Sequence, residues 1–150
     1  MAQSLAQILV HLVFSTKNRE ALLTDECRDE LHAYIGGIVK YRKGALLSAG
    51  SVADHIHLLV AQPRTCSVSD LIQDIKADSS AWLKTKGADY SDFHWQAGFG
   101  AFSISPTHRP VLEKYIAGQA DHHRKFSYQD EFRRLLNEHG IQFDERYVWD

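Results

Sequence analysis

Two short stretches of this chain carry side chains that could do chemistry together. The first is Asp54-His55-Ile56-His57-Leu58-Leu59-Val60, an apolar run with two histidines. In an extended strand, residues i and i+2 project from the same face, so His55 and His57 can share one metal ion. The second is Tyr115-Ile116-Ala117-Gly118-Gln119, whose i, i+4 spacing puts a phenol and an amide on one face of a helix. Two imidazoles and an amide oxygen are neutral ligands, so a bound dication keeps its full charge toward a substrate. Such a set leaves open positions for phosphate oxygens and water, which suits Mg²⁺ or Mn²⁺ and metal-assisted attack by tyrosine on a phosphodiester. Tyrosine ionises near pH 10, and full ionisation at pH 7 costs about 4 kcal/mol, so a cation or base must offset that cost. No carboxylate is obviously placed as the base.

Spacing alone leaves other readings open. With nine histidines in 150 residues, chance supplies about 0.5 His-x-His pairs. The pair can equally be two partly exposed strand histidines near a sheet edge or cleft, bonded to neighbours. Tyr115 can be a core aromatic and Gln119 a solvated side chain. His122 and His123 can be ligands or the basic end of a helix.

The elements that must position these groups follow from hydrophobic periodicity. Residues 7–15 read as a strand buried on both faces, and residues 16–23 as a polar loop. Thr24 is an N-cap with Asp25 and Glu26 behind it, opening a helix to Lys40 that Gly44 ends. Leu31, Tyr34, Ile35 and Ile38 share its apolar face. Residues 45–52 and 55–61 form a hairpin of two strands, stopped by Pro63. Ser67-Val68-Ser69-Asp70 caps a second helix that closes at Gly87. Residues 93–103 read as a strand, with Gly98 and Gly100 marking a bulge. Ser105-Pro106 starts a helix over residues 109–125 that includes Gly118, and Ser127 caps a last helix ending near Gly140. The order β-α-β-β-α-β followed by helices predicts an α+β fold. It is a ferredoxin-like antiparallel sheet with helices on one face, plus C-terminal helices carrying Tyr115.

Bulk properties narrow the class. A chain of 150 residues, 44% of them hydrophobic, suits a single domain, 1–150, with a real core. The apolar runs are too short to span a membrane. Met1-Ala2-Gln3-Ser4-Leu5 lacks the pattern of a signal peptide, so a cytoplasmic protein is expected. Cys27 and Cys66 have no metal-type spacing and read as reduced thiols. A net charge of −2 argues against coating long nucleic acid by charge alone. It permits local contacts through Lys40-Tyr41-Arg42-Lys43 or His122-His123-Arg124-Lys125, which as helix ends are also simply solvated.

Several segments together resemble a known family. Phe14-Ser15-Thr16-Lys17-Asn18-Arg19, Asp54-His55-Ile56-His57-Leu58-Leu59, Ile75-Lys76-Ala77-Asp78-Ser79-Ser80, Trp95-Gln96-Ala97-Gly98-Phe99-Gly100 and Tyr115-Ile116-Ala117-Gly118-Gln119 are similar to single-tyrosine HUH transposases. These are the insertion-sequence 200/605 group, transposase-17 type, with REP-associated tyrosine transposases as relatives. The tail, residues 141–150, is similar too. The resemblance implies His55, His57 and Gln119 as metal ligands for Mg²⁺ or Mn²⁺, with Tyr115 as nucleophile. Tyr115 would form a 5′-phosphotyrosine on single-stranded DNA at hairpin-marked ends, and a 3′-hydroxyl would later reverse that linkage. It implies a homodimer able to exchange the tyrosine helix. It points to Lys17, Arg19, Lys76 and Gln96 as DNA contacts, while Trp95 reads as core. Gly118 stands where asparagine is expected, and Phe99 where tyrosine is usual. Other readings are a hairpin-binding protein without catalysis, a domesticated endonuclease of repeated palindromes, and a small-molecule metal hydrolase using His55, His57 and His122 or His123.

Overall fold

The computed structural model describes residues 2–150, so Met1 of the N-terminal reading lies outside it. Strand β1 (Leu9–Ser15) has every residue buried, as its two apolar faces require. Helix α1 (Asp25–Tyr41) leads to β2 (Ala45–Ser51) and β3 (His55–Ala61). Helix α2 (Val68–Lys84) then leads to β4 (Gly100–Ile104). Three helices close the fold: α3 (Arg109–Ala117), α4 (Gln119–His122) and α5 (Tyr128–Glu138). The four strands form one antiparallel sheet in the order β2-β3-β1-β4, the ferredoxin-like arrangement. Among the described residues, no helix is long and apolar enough to cross a membrane.

Alternation along the strands assigns each face its helices. Val10, Leu12 and Phe14 of β1 join Ile56, Leu58 and Val60 of β3 in a core with Leu31 and Ile35 of α1 and Leu71 and Ile75 of α2. The opposite residues face the C-terminal helices: Val13 packs with Phe102, Phe132 and Leu135, and Leu9 with Leu59, Leu112 and Ile116. Helices therefore cover both faces of the sheet, and the second layer buries the histidine-bearing side. Two glycines let that layer approach. A Cβ on Gly50 of β2 would lie 2.2 Å from the Ile116 carbonyl oxygen of α3. One on Gly100 of β4 would lie 2.5 Å from the Phe132 ring of α5.

Several local expectations are corrected. Strand β1 begins at Leu9, because Ile8 is already exposed. The loop after it holds a 3₁₀ turn at Lys17–Arg19, with Asn18 and Arg19 at positive φ. Thr24 takes the N-cap position, but its hydroxyl pairs with Tyr90 rather than the helix. Helix α1 ends at Tyr41, close to the expected Lys40, but its fully buried residues are Cys27, Leu31, Ile35 and Val39; Ile38 is partly buried against the same core and Tyr34 stacks on Trp82. The residue with left-handed backbone there is Lys43, while Gly44 is needed because a Cβ would collide with the Ala61 carbonyl. Strand β2 ends at Ser51, and the register shift lies within it, between Leu46 and Ser48.

The expected strand over residues 93–103 is half irregular. Its first part bonds to other groups: Gln96 N donates to Ser15 O and Gly98 N to Asp150 O, with one bridge between Thr16 and Trp95. The expected bulge at Gly98 and Gly100 is thus a meeting with the C-terminus and with α5. The helix expected over 109–125 breaks at Gly118, although Gly118 N still donates to Lys114 O and His122 N to Gly118 O. Ser67 and Ser127 cap α2 and α5 as expected, each accepting from the amide three residues on. Trp95 is core, its indole donating to Ser79, and both cysteines are free thiols.

The tight seats give a paired test. Gly50→Ala should destabilise the protein by about 1–3 kcal/mol, because backbone rather than a flexible side chain must move. Gly37→Ala, in the middle of α1 with nothing within 4 Å, should stabilise it by about 0.5–1 kcal/mol. Urea midpoints at constant slope read both.

Candidate active site and metal centre

Strand β3 is internal, so His55 and His57 are fully buried rather than exposed near an edge. Pairing with β1 sets His57 opposite Val13 and Leu59 opposite His11. His11 is therefore the diagonal neighbour of His57, and its Nε2 lies 2.8 Å from His57 Nδ1. His55 Nδ1 lies 2.7 Å from Asp54 Oδ1. With both Nδ1 atoms engaged, the two Nε2 atoms point toward the C-terminal helices.

A carboxylate meets them there. Glu131 lies on the buried face of α5 and is 2% exposed. Its Oε1 is 2.8 Å from His57 Nε2, 3.1 Å from His123 Nε2 and 3.4 Å from His55 Nε2. Its Oε2 accepts the Tyr115 hydroxyl. His123, just past α4, has its Nδ1 2.7 Å from Phe126 O. Gln119 is also buried: its Oε1 is 3.0 Å from His123 Nε2 and 3.4 Å from His55 Nε2, and its amide donates to Tyr115 O. The break at Gly118 therefore keeps Tyr115 and Gln119 at one place. Arg134 Nη2 donates to the Tyr115 hydroxyl at 3.3 Å, on the side where a cleft of about 260 Å³ reaches the phenol.

Sequence reasoning placed His55, His57, Tyr115 and Gln119, and the structure brings all four together. Of the two histidines left open, His123 joins the cluster as a third imidazole while His122 Nε2 lies 3.3 Å from Glu131 Oε2, and the structure adds Glu131, the carboxylate the sequence reading did not find, with His11 and Arg134 as supports. A signal for Glu131 existed. Tyr128, Glu131, Phe132 and Leu135 fall at i, i+3, i+4 and i+7 on an amphipathic helix, and an acid inside an apolar stripe is costly unless it has partners.

The electrostatics follow from burial and pairing. Burial alone would raise the Glu131 pKa, but donors from His123, His55 and His57 hold the carboxyl far below its usual range. Burial, then the bond to Glu131, pushes the Tyr115 phenol well above its ordinary value, so the resting site keeps its proton. Burial lowers His57 and takes His11 down to about 3. Burial also opposes charge on His55, but Asp54 and Glu131 outweigh it and leave that pKa raised. His55, His57, His123 and Glu131 each offer one donor atom, all within 4.8 Å of one another, a set that fits a divalent cation.

The four residues expected to contact DNA fare differently. Lys17 is exposed, and Arg19 lies with its guanidinium 5.7 Å from the Trp149 ring centre. Lys76 instead donates to three carbonyls, Gln96 at 2.8 Å, Ala97 at 3.2 Å and Gly98 at 2.6 Å, and burial pushes its pKa down to about 8. Gln96 is buried, accepting from Ser15 N and Tyr128 and donating to Asp150 O. Both brace the 93–99 loop.

A ferredoxin-like sheet whose second helical layer closes a tyrosine and a histidine-rich, metal-capable cluster defines the HUH class of tyrosine enzymes. This chain belongs to the IS200-like transposases: the family described as "Transposase IS200 like" matches residues 4–119. The ISDra2 transposase TnpA of Deinococcus radiodurans is 23% identical over 120 residues, 77% of this chain and 86% of that protein. The transposase for insertion sequence element IS200 of Salmonella typhimurium is 30% identical over 79 residues, 53% of this chain and 52% of that protein. The chain thus spans about half the length of the IS200 relative. A crystal structure of a Deinococcus radiodurans protein described as a transposase shares the fold at TM-score 0.61 and 21% identity, covering 77% of this chain and 95% of that one. A REP-associated tyrosine transposase solved bound to a REP hairpin shares it at TM-score 0.59 and 16% identity, covering 82% and 74%.

Two outcomes test the site. Lys76→Ala should cost about 1–3 kcal/mol of stability, measured by urea unfolding without DNA, because a charged donor to three carbonyls is lost. A pure phosphate contact would leave stability unchanged. For Glu131 the folded pKa lies below the usual 4.5, so its stabilisation is complete above pH 4.5 and falls away as pH drops through the acid range. The stability difference between wild type and Glu131→Gln, measured in chelator, should therefore shrink steadily from pH 5 to pH 3.

Proposed function

We propose that this transposase cuts and rejoins single-stranded DNA at hairpin-marked ends through a 5′-phosphotyrosine on Tyr115. The observation that carries the reading is the Tyr115 hydroxyl bonded to the carboxylate of a buried, metal-capable histidine cluster. Family membership supports DNA transposition, and the relative bound to a REP hairpin supports the kind of DNA.

In this reading the Tyr115 oxygen attacks a backbone phosphorus. The bond from phosphorus to the 3′-oxygen breaks, and that oxygen leaves as a 3′-hydroxyl after taking a proton. A 3′-hydroxyl from another strand then attacks the phosphotyrosine and restores the tyrosine. Each step exchanges one phosphate ester for another, so no nucleotide triphosphate is required. Glu131 Oε2 accepts the hydrogen bond that orients the Tyr115 hydroxyl, and Arg134 sets a positive charge beside the same oxygen. Burial of His55, His57 and Gln119 excludes water from the far side of the hydroxyl. A dication held by His55, His57 and Gln119, Mg²⁺ or Mn²⁺, would stabilise charge on the phosphate and lower the cost of ionising the phenol.

Tyr115 meets the cluster within one chain, so each copy contains a complete set of groups. Assembly as a homodimer and action in the bacterial cytoplasm belong to the same proposal.

The experiment is incubation with single-stranded DNA from the flanks of the protein's own gene. Wild type should form a covalent, metal-dependent adduct at Tyr115. Tyr115→Phe should lower adduct formation by at least about a thousandfold while retaining hairpin binding and fold. Chelator should suppress the adduct, and added Mg²⁺ or Mn²⁺ restore it. A full-strength adduct from the Phe variant would refute the assignment.

A further inference from the structure

We propose that His123 and Glu131 complete the His55–His57 pair as a transition-metal centre, selecting ions such as Mn²⁺, Co²⁺ or Zn²⁺ over Mg²⁺. The inference rests on the same cluster being the metal site, and it changes both the ligand set and the class of ion.

Convergence is the first ground. Three imidazole Nε2 atoms, from a strand and from the turn after α4, lie 2.8, 3.1 and 3.4 Å from a single carboxylate oxygen. Every one of these side chains is buried or nearly so. Packing three imidazole nitrogens around one point is costly unless a proton or a cation sits among them.

The outer partners are the second ground. Each of the three rings has its Nδ1 engaged away from the centre: His55 with Asp54, His57 with His11, and His123 with the Phe126 carbonyl. The Asp54 carboxylate and the Phe126 carbonyl accept, so Nδ1 of His55 and of His123 donates outward and leaves Nε2 as the ligating atom, the arrangement of metal-binding histidines. His11 Nε2 lies 2.8 Å from His57 Nδ1, so the β1 residue acts on the centre through His57.

Donor chemistry decides the ion. Mg²⁺ demands near-octahedral oxygen coordination and sheds water reluctantly. A set of three imidazoles and one carboxylate is nitrogen-rich, and affinity for such sets rises through the first transition row. Glu131 also cancels one of the two cation charges, which a neutral His, His, Gln set would not. Its Oε1 faces the imidazoles while Oε2 holds the Tyr115 hydroxyl, so one side chain links the ligand set to that hydroxyl. Both added residues lie beyond the segment 4–119 matched by the family, on the turn and helix that follow it.

Visible absorption of Co²⁺ tests this without DNA. Full-length protein stripped with chelator and titrated with CoCl₂ should develop the bands of a nitrogen-coordinated site. Zn²⁺ should abolish them near stoichiometry, and Mg²⁺ at roughly a thousandfold excess should leave them intact. Glu131→Gln and His123→Ala should each weaken Co²⁺ binding by at least about tenfold, with fold checked by circular dichroism. His123, nearer the surface, carries the comparison if the Glu131 variant unfolds. Tyr115→Phe should bind Co²⁺ like wild type. Displacement of Co²⁺ by Mg²⁺ at comparable concentration would overturn the proposal, as would wild-type affinity in the folded variants. Such a result alongside an intact Tyr115 adduct would leave the transposase reading standing. Normal Co²⁺ binding with no adduct would refute that reading and leave the metal centre.

Discussion

A carboxylate held almost entirely out of water must be surrounded by donors, and Glu131 sets that requirement for half the molecule. Its two oxygens are met by imidazoles from β3 and from the turn after α4, and by the phenol of α3. Losing one partner would leave a buried charge partly uncompensated, so the elements that supply these donors have interdependent positions. The sheet, the broken tyrosine helix and α5 therefore meet around one side chain.

Close approach makes that meeting possible. Gly50 lets the backbone of α3 rest directly on β2, and Gly100 lets Phe132 of α5 rest on β4. Any side chain at either place would lift a helix off the sheet and draw Tyr115 or Glu131 away from the histidines. Gly118 acts differently. It interrupts the helix between the nucleophile candidate and Gln119, yet hydrogen bonds on both sides keep the chain winding, so both groups still reach the same place.

The far end of β1 shows how a functional expectation can become structural. Lys76 spends its ammonium on three loop carbonyls, and Gln96 ties Ser15, Tyr128 and Asp150 together. These contacts anchor the C-terminal tail against the loop that precedes β4.

Much of this was legible from residue order. Alternation showed which side of β3 carries His55 and His57, the element order predicted the ferredoxin-like sheet, serine caps marked α2 and α5, and the i, i+4 pair marked Tyr115 and Gln119. These are local signals, because side-chain direction in a strand or helix is set by backbone geometry within a few residues. The burial of the histidines, the arrival of His123 and Glu131, and the seats at Gly50 and Gly100 were decided only by tertiary structure. Each depends on which helix lies over which strand and how closely. His57 and Glu131 are 74 residues apart, and no local pattern reports that a buried acid on one helix faces an imidazole on a strand. The chain by itself determined which groups can do the chemistry, and packing of the second helical layer determined which of them share one dry, charged site.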